Sequence, residues 1–524
     1  MPRVLIADEL SPRALAIFKE RGIDADVKTK LTPDELKAII GQYDGLAVRS
    51  ATKVTKPVLE QARNLKVIGR AGIGVDNIDV PAATARGIVV MNTPFGNSIT
   101  TAEHAIALMF ALAREIPAAD RSTQAGKWEK SRFMGVELTG KVLGIIGCGN
   151  VGSVVAERAL GLKMKVAAYD PFLSAERALT LGVDKVELDE LLARADFITL
   201  HTPLTEATKN IIDAKALAKA KPGVRIINCA RGGLIVEADL KSGLDSGQVA
   251  GAALDVFPVE PAKENILFGH PHIIATPHLG AATTEAQENV ALQVAEQMSD
   301  FLLTGAVTNA LNMASLSAEE AARLKPYIKL AEQLGSFLGQ LTEAGLKSVA
   351  IEYGGHAAEL NIKPLTAIAL TALLGPQLEA VNMVNVPLVC KERGIAVAET
   401  RRTEASDFQT LIRVTAAGNG GPRSIAGTLF ADKPRIVDIE GIPLEAELGA
   451  YMLFVRNHDK PGFVGNLGRA LSEARINIAT FHLGRSAPGR DAICLVQIDQ
   501  PLGEGLLQTV RGIANVVQAK QLHF

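Results

Sequence analysis

Through the first half of the chain, short apolar runs alternate with segments whose apolar residues recur at helical spacing. The runs lie at residues 4–7, 46–48, 67–68, 89–91, 142–146, 165–169, 197–200, 224–228, 251–256 and 273–275. Most end in a loop that contains glycine or proline. Segments 12–21, 105–113, 153–162 and 285–302 carry the helical pattern. Strands and helices in alternation predict parallel sheet with helices on both faces. Beyond residue 313 the pattern changes. A helix over 327–341 and strand-like runs at 349–353, 410–415 and 424–429 predict a mixed α+β segment. From 451 onward the order is strand 451–455, helix 462–474, strand 477–483, strand 492–498, helix 504–512 and strand 516–522. That βαββαβ order predicts a ferredoxin-like domain.

The run at 142–146 feeds into Gly147, Gly149 and Gly152, spaced G-x-G-x-x-G, and a helical pattern follows. Strand, glycine turn and helix are the context that a dinucleotide fingerprint requires. Gly147 would make the tight turn, Gly149 would admit a pyrophosphate to the backbone, and Gly152 would let helix pack on strand. The phosphates would then meet the free N–H groups of a helix N-terminus. The next apolar run ends in Asp170, near the ~20-residue offset of an acid that bonds a ribose 2′-hydroxyl. This predicts a Rossmann domain with NAD as cofactor. The alternative is a glycine-rich turn in some other α/β protein.

Length narrows the picture: 524 residues suit about three or four domains. With 48% hydrophobic and 21% charged residues, the chain is expected to fold around large cores. A net charge of −2 predicts neither nucleic acid nor membrane as partner. Cys148, Cys229, Cys390 and Cys494 have no paired spacing, so neither disulfides nor a metal site is expected. The N-terminus turns polar after one short run and does not read as a signal peptide. A cytoplasmic setting follows from these features.

In open α/β sheets, ligands bind outside the carboxyl ends of the strands. Arg49, Arg70 and Asn97 fall there in the first part of the chain and predict an anion pocket, the alternative being solvated loop polars. Arg231, Glu260 and His278 fall there in the second part. These three suit oxidation of a 2-hydroxy acid. A neutral imidazole accepts the hydroxyl proton as hydride leaves the carbon. A carboxylate on its other nitrogen fixes the tautomer, and an arginine fork clasps the substrate carboxylate.

Residues 48–52, 69–77, 92–98, 147–152, 228–233, 257–261 and 276–280 together resemble the D-2-hydroxy acid dehydrogenase family. The tail resembles its long form, which ends in an ACT domain: Asp459, Lys460, Pro461 and Gly462 at the first strand–helix turn, then Asn477 and Ile478. The resemblance implies a discontinuous, flavodoxin-like substrate domain at 1–94 and 283–313, with a Rossmann NAD domain inserted at 95–282. An α+β intervening domain at 314–448 and a ferredoxin-like ACT domain at 449–524 would follow. It implies Arg231, Glu260 and His278 as the catalytic set. NAD contacts would come from Gly147, Gly149, Asn150, Val151, Gly152, Asp170, Thr202, Cys229, Ala230, Arg231, Asp255, His278, Leu279, Gly280 and Ala281. Substrate contacts would fall on Arg49, Arg70 and Asn97, with Lys130 or Arg132 reaching a neighbouring subunit's site. Ile73 departs from the small or hydroxylated residue expected near the nicotinamide, which puts one cofactor hydrogen bond in question.

Within the family, the implied reaction is NAD-dependent oxidation of 3-phosphoglycerate to 3-phosphohydroxypyruvate at the head of L-serine biosynthesis. The resemblance also implies a homo-oligomer, a tetramer, with L-serine as effector at Asp459 and Asn477. Three alternatives stand beside this reading. One is a reductase of glyoxylate, hydroxypyruvate or 2-oxoglutarate, another a NAD-sensing binding protein, and the third a tail that only dimerises.

Overall fold

A computed structural model describes residues 1–316, 318–342, 345–378, 381–402 and 407–524. Four sheets follow one another along the chain. The first is wholly parallel, in the spatial order Asp24–Val27, Arg3–Ile6, Gly45–Val48, Val67–Arg70, Val89–Met91. In chain order that is 2-1-3-4-5, the flavodoxin-like arrangement. Helices cover both faces, so its central strands read as continuous apolar runs; every residue of Gly45–Val48 is buried. The edge strand Asp24–Val27 is the exception. Its sequence, Asp-Ala-Asp-Val, is polar and part-exposed.

The helix Thr284–Thr304 returns to this first sheet after an excursion of nearly two hundred residues. Val290, Val294 and Met298 join Val4, Ile6 and Phe18 in one core. The Thr283 hydroxyl caps its start by accepting from the Ala286 N–H, and Gly305, in the left-handed region, ends it.

Between lies a seven-stranded sheet, also parallel throughout. Its spatial order is Ile273–Ala275, Val249–Leu254, Val224–Asn228, Phe197–Leu200, Val142–Ile146, Lys165–Tyr169, Asp184–Lys185. Read from Asp184–Lys185, the strands run 3-2-1-4-5-6 with one strand added, the doubly wound Rossmann order. The helix Ser98–Ala113 belongs to this body, since Ala102, Ala105 and Met109 share a core with Val155 and Ile227.

The third sheet is mixed, in the order Ala396–Arg402, Leu346–Gly355, Thr410–Gly418, Gly421–Phe430, Lys433–Ile439, Ile442–Ala446. Only its first pair is parallel. The fourth is antiparallel, in the order Ile478–Arg485, Asp491–Ile498, Tyr451–His458, Val516–His523. With helices Phe463–Glu473 and Glu504–Arg511 it makes the ferredoxin-like fold expected from the sequence. Its helix-free face packs on the long helix Ala318–Leu341, where Phe337 meets Phe454 edge-on at 5.9 Å between centroids. Near the end of that helix, the Gln340 side-chain amide pairs with the backbone of edge residue His523, donating at 2.8 Å and accepting at 2.9 Å. Among the described residues, no helix is long and apolar enough to cross a membrane.

Candidate active site

The glycine turn after Val142–Ile146 leaves no room for side chains where it closes on itself. Gly147 has φ of 91°, and a Cβ there would lie 2.6 Å from the His201 carbonyl oxygen. A Cβ on Gly152 would lie 2.1 Å from the Gly147 carbonyl oxygen. Gly149 is different: it precedes the helix Asn150–Gly161, and a side chain there would meet no protein atom within 4 Å. That open space lies before the free N–H groups of a helix N-terminus, so a dinucleotide pyrophosphate fits. Val151 lies in the first turn of the same helix. Asp170 is fixed beside the turn, with Oδ2 accepting from the Cys148 N–H and Oδ1 from the Phe172 N–H, both at 2.8 Å. Asn150 reaches across to donate to the Pro94 carbonyl oxygen at 3.2 Å. Thr202 stands against the turn, its Cβ 3.1 Å from the position a Gly147 side chain would take. Cys229 is buried, and burial with the nearby Asp255 charge pushes its thiol far up, so this wall is neutral. The Asn228 side chain shapes the following loop by accepting from the Ala230 N–H and donating to the Arg231 carbonyl oxygen.

Asp255, at the end of strand Val249–Leu254, is fully buried and organises the next loop. Its Oδ1 accepts from the Thr276 hydroxyl at 2.6 Å and the Leu279 N–H at 2.7 Å, and its Oδ2 accepts from the Gly280 N–H at 2.8 Å. His104 Nε2 lies 3.3 Å away, contributed by the helix Ser98–Ala113. Burial pushes the carboxyl up, but these hydrogen bonds together hold it below the ordinary 3.8. The loop wound round this carboxylate carries Ala281 at its far end and places His278 at φ 56°. A left-handed conformation costs a non-glycine residue roughly 1–3 kcal/mol, and the hydrogen bonds to Asp255 offset it. His278 Nδ1 lies 2.7 Å from Glu260 Oε2, while Glu260 Oε1 accepts from the Phe257 N–H at 2.9 Å. A carboxylate at Nδ1 favours the tautomer that leaves an acceptor lone pair on Nε2.

Three arginines lie close enough to one another at strand ends for their charges to interact. Arg231 Nε donates to Asp76 Oδ2 at 2.9 Å and Nη1 to its neighbour's carbonyl at 2.7 Å. Its Nη2 lies over Gly74, where a Cβ would come within 1.7 Å of it. Arg70 folds over Gly72 in the same way, and its Nε is buried without a partner among the described residues. Burial first, then the charges of Arg231 and Arg49, lower the Arg70 pKa to about 10. It stays cationic at neutral pH. Arg49 is held through its backbone, its N–H donating to Asp8 Oδ2 and its carbonyl accepting from Asn77. Asn97, also buried, has an Oδ1 without a partner among the described residues. Converging like charges and unpaired polar atoms are relieved when an anion enters. Asn92 and Thr93 brace this rim, donating to the Ile73 carbonyl and accepting from the Gly72 N–H, both at 2.6 Å.

Other candidate residues lie apart. Arg132 pairs with Glu129 and stacks on Phe133 within its own loop, beside Trp128, which is 86% exposed. Among the described residues, no hydrogen bond or ion pair ties Lys130 or Arg132 to the rim within one chain. Asp459 accepts from Arg485 and from the Gly489 N–H, and the N–H bond and then Arg485 hold its carboxyl below the usual range. Asn477 donates to Asp499. The two sit at opposite ends of their sheet, for strand Asp491–Ile498 pairs its first residue with His458 and its last with Ile478. Sequence reasoning missed Asp8, Asp76 and His104. Asp8 follows a strand, so the rule that found Arg49 covers it as well; His104, on a helix, carries no such signal.

Residues 106–280 match the NAD binding domain of D-isomer specific 2-hydroxyacid dehydrogenases, and residues 323–440 match the D-3-phosphoglycerate dehydrogenase intervening domain. A D-3-phosphoglycerate dehydrogenase of Synechocystis sp. is 44% identical over 522 residues, covering 99% of this chain and 94% of that protein. The Bacillus subtilis D-3-phosphoglycerate dehydrogenase is 40% identical over 524 residues, covering 99% of each. Among solved structures, the PH0520 protein of Pyrococcus horikoshii superposes with a TM-score of 0.54 at 32% identity, over 62% of this chain and 98% of its own. A glyoxylate reductase from Paecilomyes thermophila gives 0.55 at 30%, over 59% and 98%. These solved chains match little more than half of the length, whereas the sequence relatives match nearly all of it. The chain belongs to the D-3-phosphoglycerate dehydrogenases, NAD-dependent oxidoreductases of the D-isomer specific 2-hydroxyacid dehydrogenase family.

Proposed function

We propose that this enzyme oxidises 3-phosphoglycerate to 3-phosphohydroxypyruvate as the first step of L-serine biosynthesis. The observation that carries the reading is the Glu260–His278 pair, 2.7 Å apart, on a rim shared with Arg49, Arg70 and Arg231. NAD, when bound, supplies the hydride acceptor. Gly147, Gly149, Asn150, Val151 and Gly152 would hold its pyrophosphate and Asp170 its ribose, with Thr202, Cys229, Ala230 and the loop Leu279, Gly280 and Ala281 lining its nicotinamide end and buried Asp255 holding that loop from behind. His278 Nε2 takes the C2 hydroxyl proton. Glu260 keeps the proton on Nδ1 and stabilises the imidazolium that forms. Arg231 grips the substrate carboxylate, and Arg70, Arg49 and Asn97 receive the phosphate. NADH formation across a panel of 2-hydroxy acids tests this. The expected result is the highest kcat/KM on 3-phosphoglycerate; a preference for glycerate, lactate or 2-hydroxyglutarate would sink the assignment.

The domain division proposed from the sequence is supported by sheet membership, because no sheet draws strands from both sides of a boundary. We further read the enzyme as a cytoplasmic homotetramer in which Lys130 or Arg132 serves a neighbouring site. The four free, buried cysteines support a reducing compartment, and the exposed apolar residues Ile116, Trp128 and Met134 support assembly. L-serine would act at the ACT domain, with Asp459 from one chain and Asn477 from its neighbour. Their separation within one chain supports a site formed only across a seam.

A further inference from the structure

A cavity of about 840 Å³ opens between the segment 311–314, the helices Ile362–Leu374 and Val386–Glu392, and the strand Ala396–Arg402. Its volume is that of a small-molecule site. Leu311, Met313, Leu370, Pro387 and Val397 make its walls apolar. One corner is charged and already organised. Buried Tyr353 hydrogen-bonds Thr366 at 2.8 Å, Thr366 donates to Glu399 Oε1 at 2.6 Å, and Lys363 donates to Glu399 Oε2 at 2.6 Å. Both Glu399 oxygens are therefore engaged, which leaves that carboxylate little capacity to draw in a cation. Lys363 keeps two further N–H donors, and the lining adds a second ammonium, Lys391. The head group that suits two ammoniums beside an engaged carboxylate is an anion.

The segment 311–314 is also stitched to the substrate lobe. The Leu311 N–H donates to the Val90 carbonyl at 2.8 Å, and Asn312 accepts from the Val90 N–H while donating to the Ile88 carbonyl and the Thr84 hydroxyl. The strand held in this way, Val89–Met91, leads directly into Asn92 and Thr93, which brace the loop beside Arg70.

We propose that this cavity binds an amphipathic monocarboxylate, its apolar body between the two helices and its carboxylate on Lys391 and Lys363, and that occupancy is coupled to the arginine rim through Asn312. Calorimetry on the full-length enzyme with octanoate, octanol and octylamine tests it. Octanoate should bind, octanol more weakly, and octylamine not at all. Lys391→Glu, on an exposed helix position, should weaken octanoate about tenfold or more and admit octylamine. Val397→Trp at the exposed mouth should block both, with the mass in sedimentation unchanged. Equal binding of octanoate and octanol, insensitive to Lys391→Glu, overturns the site. So does a change of mass in Val397→Trp without octanoate binding, which marks the groove as a contact between copies. The coupling arm rests on the substrate reading above; the binding arm does not. Octanoate should shift KM for 3-phosphoglycerate, and saturating 3-phosphoglycerate should shift octanoate affinity by the matching factor. Asn312→Ala should remove that reciprocity while octanoate still binds. An octanoate affinity indifferent to 3-phosphoglycerate overturns the coupling.

Discussion

The two parallel sheets and the terminal sheet dispose their candidate ligands differently: the first use strand ends alone, the last sets a strand end against a strand start. In a parallel sheet every carboxyl end points to one side, so loops remote in sequence share an edge. Arg49, Arg70 and Arg231 come together for that reason, drawn from strands of two separate sheets, and His278 leaves the same sheet edge as Arg231. In the terminal sheet Tyr451–His458 and Ile478–Arg485 both run antiparallel to Asp491–Ile498, hence parallel to each other. Asp459 follows the end of the first and Asn477 precedes the start of the second, so the two land at opposite ends. A parallel fold can complete a polar site within one chain. In the proposed effector site, a second copy of the terminal fold would join those two residues.

The sharpest test of the first half of this comparison is removal of the base on the shared rim. His278→Asn should lower kcat by ~10²–10⁴-fold with NADH binding intact, measured by steady-state rates and fluorescence titration; Glu260→Gln should cost less. Asp255→Ala removes the buried carboxylate that holds the loop, leaving several donors without partners. It should destabilise the protein by about 3 kcal/mol or more, read from the denaturant midpoint. The pH dependence has a definite sign. A carboxyl held below 3.8 in the folded state lends stability that is present above the unfolded value and fades as pH falls through the folded one. Acidification below about pH 4 should therefore cost wild type more stability than Asp255→Asn. Arg70→Ala should raise KM for 3-phosphoglycerate about 10–100-fold and far less for D-glycerate; equal losses on both would remove the phosphate pocket.

The smallest expected effect probes the terminal sheet. Asp459→Ala and Asn477→Ala should each abolish serine inhibition, a coupling of about 1–3 kcal/mol, without changing kcat. Oligomers mixed from the two variants should recover part of it, because one seam in the mixture pairs two intact residues. Failure of mixing to restore inhibition, with both single variants unresponsive, would place the effector site inside one chain.

Much of this was legible in the sequence where burial imposes a pattern. The return helix was expected at 285–302 and spans Thr284–Thr304; the terminal βαββαβ order was complete. The edge strands Asp24–Val27 and Asp184–Lys185 were not legible, since an exposed edge needs no apolar run. The helix Ile362–Leu374 was missed for the opposite reason: it is buried on most sides and lacks a polar face to give it a period. The rim arginines and His278 followed from strand ends alone. The neighbours that hold them did not. His104 sits on a helix, and Asp255, legible as a candidate ligand, spends its oxygens on the loop that carries His278.

The return helix also sets an order of events during synthesis. The N-terminal sheet shares its core with Val290, Val294 and Met298, so a nascent chain shorter than about three hundred residues cannot seal that sheet. The nucleotide-binding body, whose strands span 142 to 275, is contiguous and can close first. Until the helix emerges, strands Gly45–Val48 and Val67–Arg70 lack their apolar cover, and the nascent chain exposes surface that chaperones recognise. Released chains ending just before residue 284 should therefore be protease-sensitive in their first ninety residues and resistant in the body that follows.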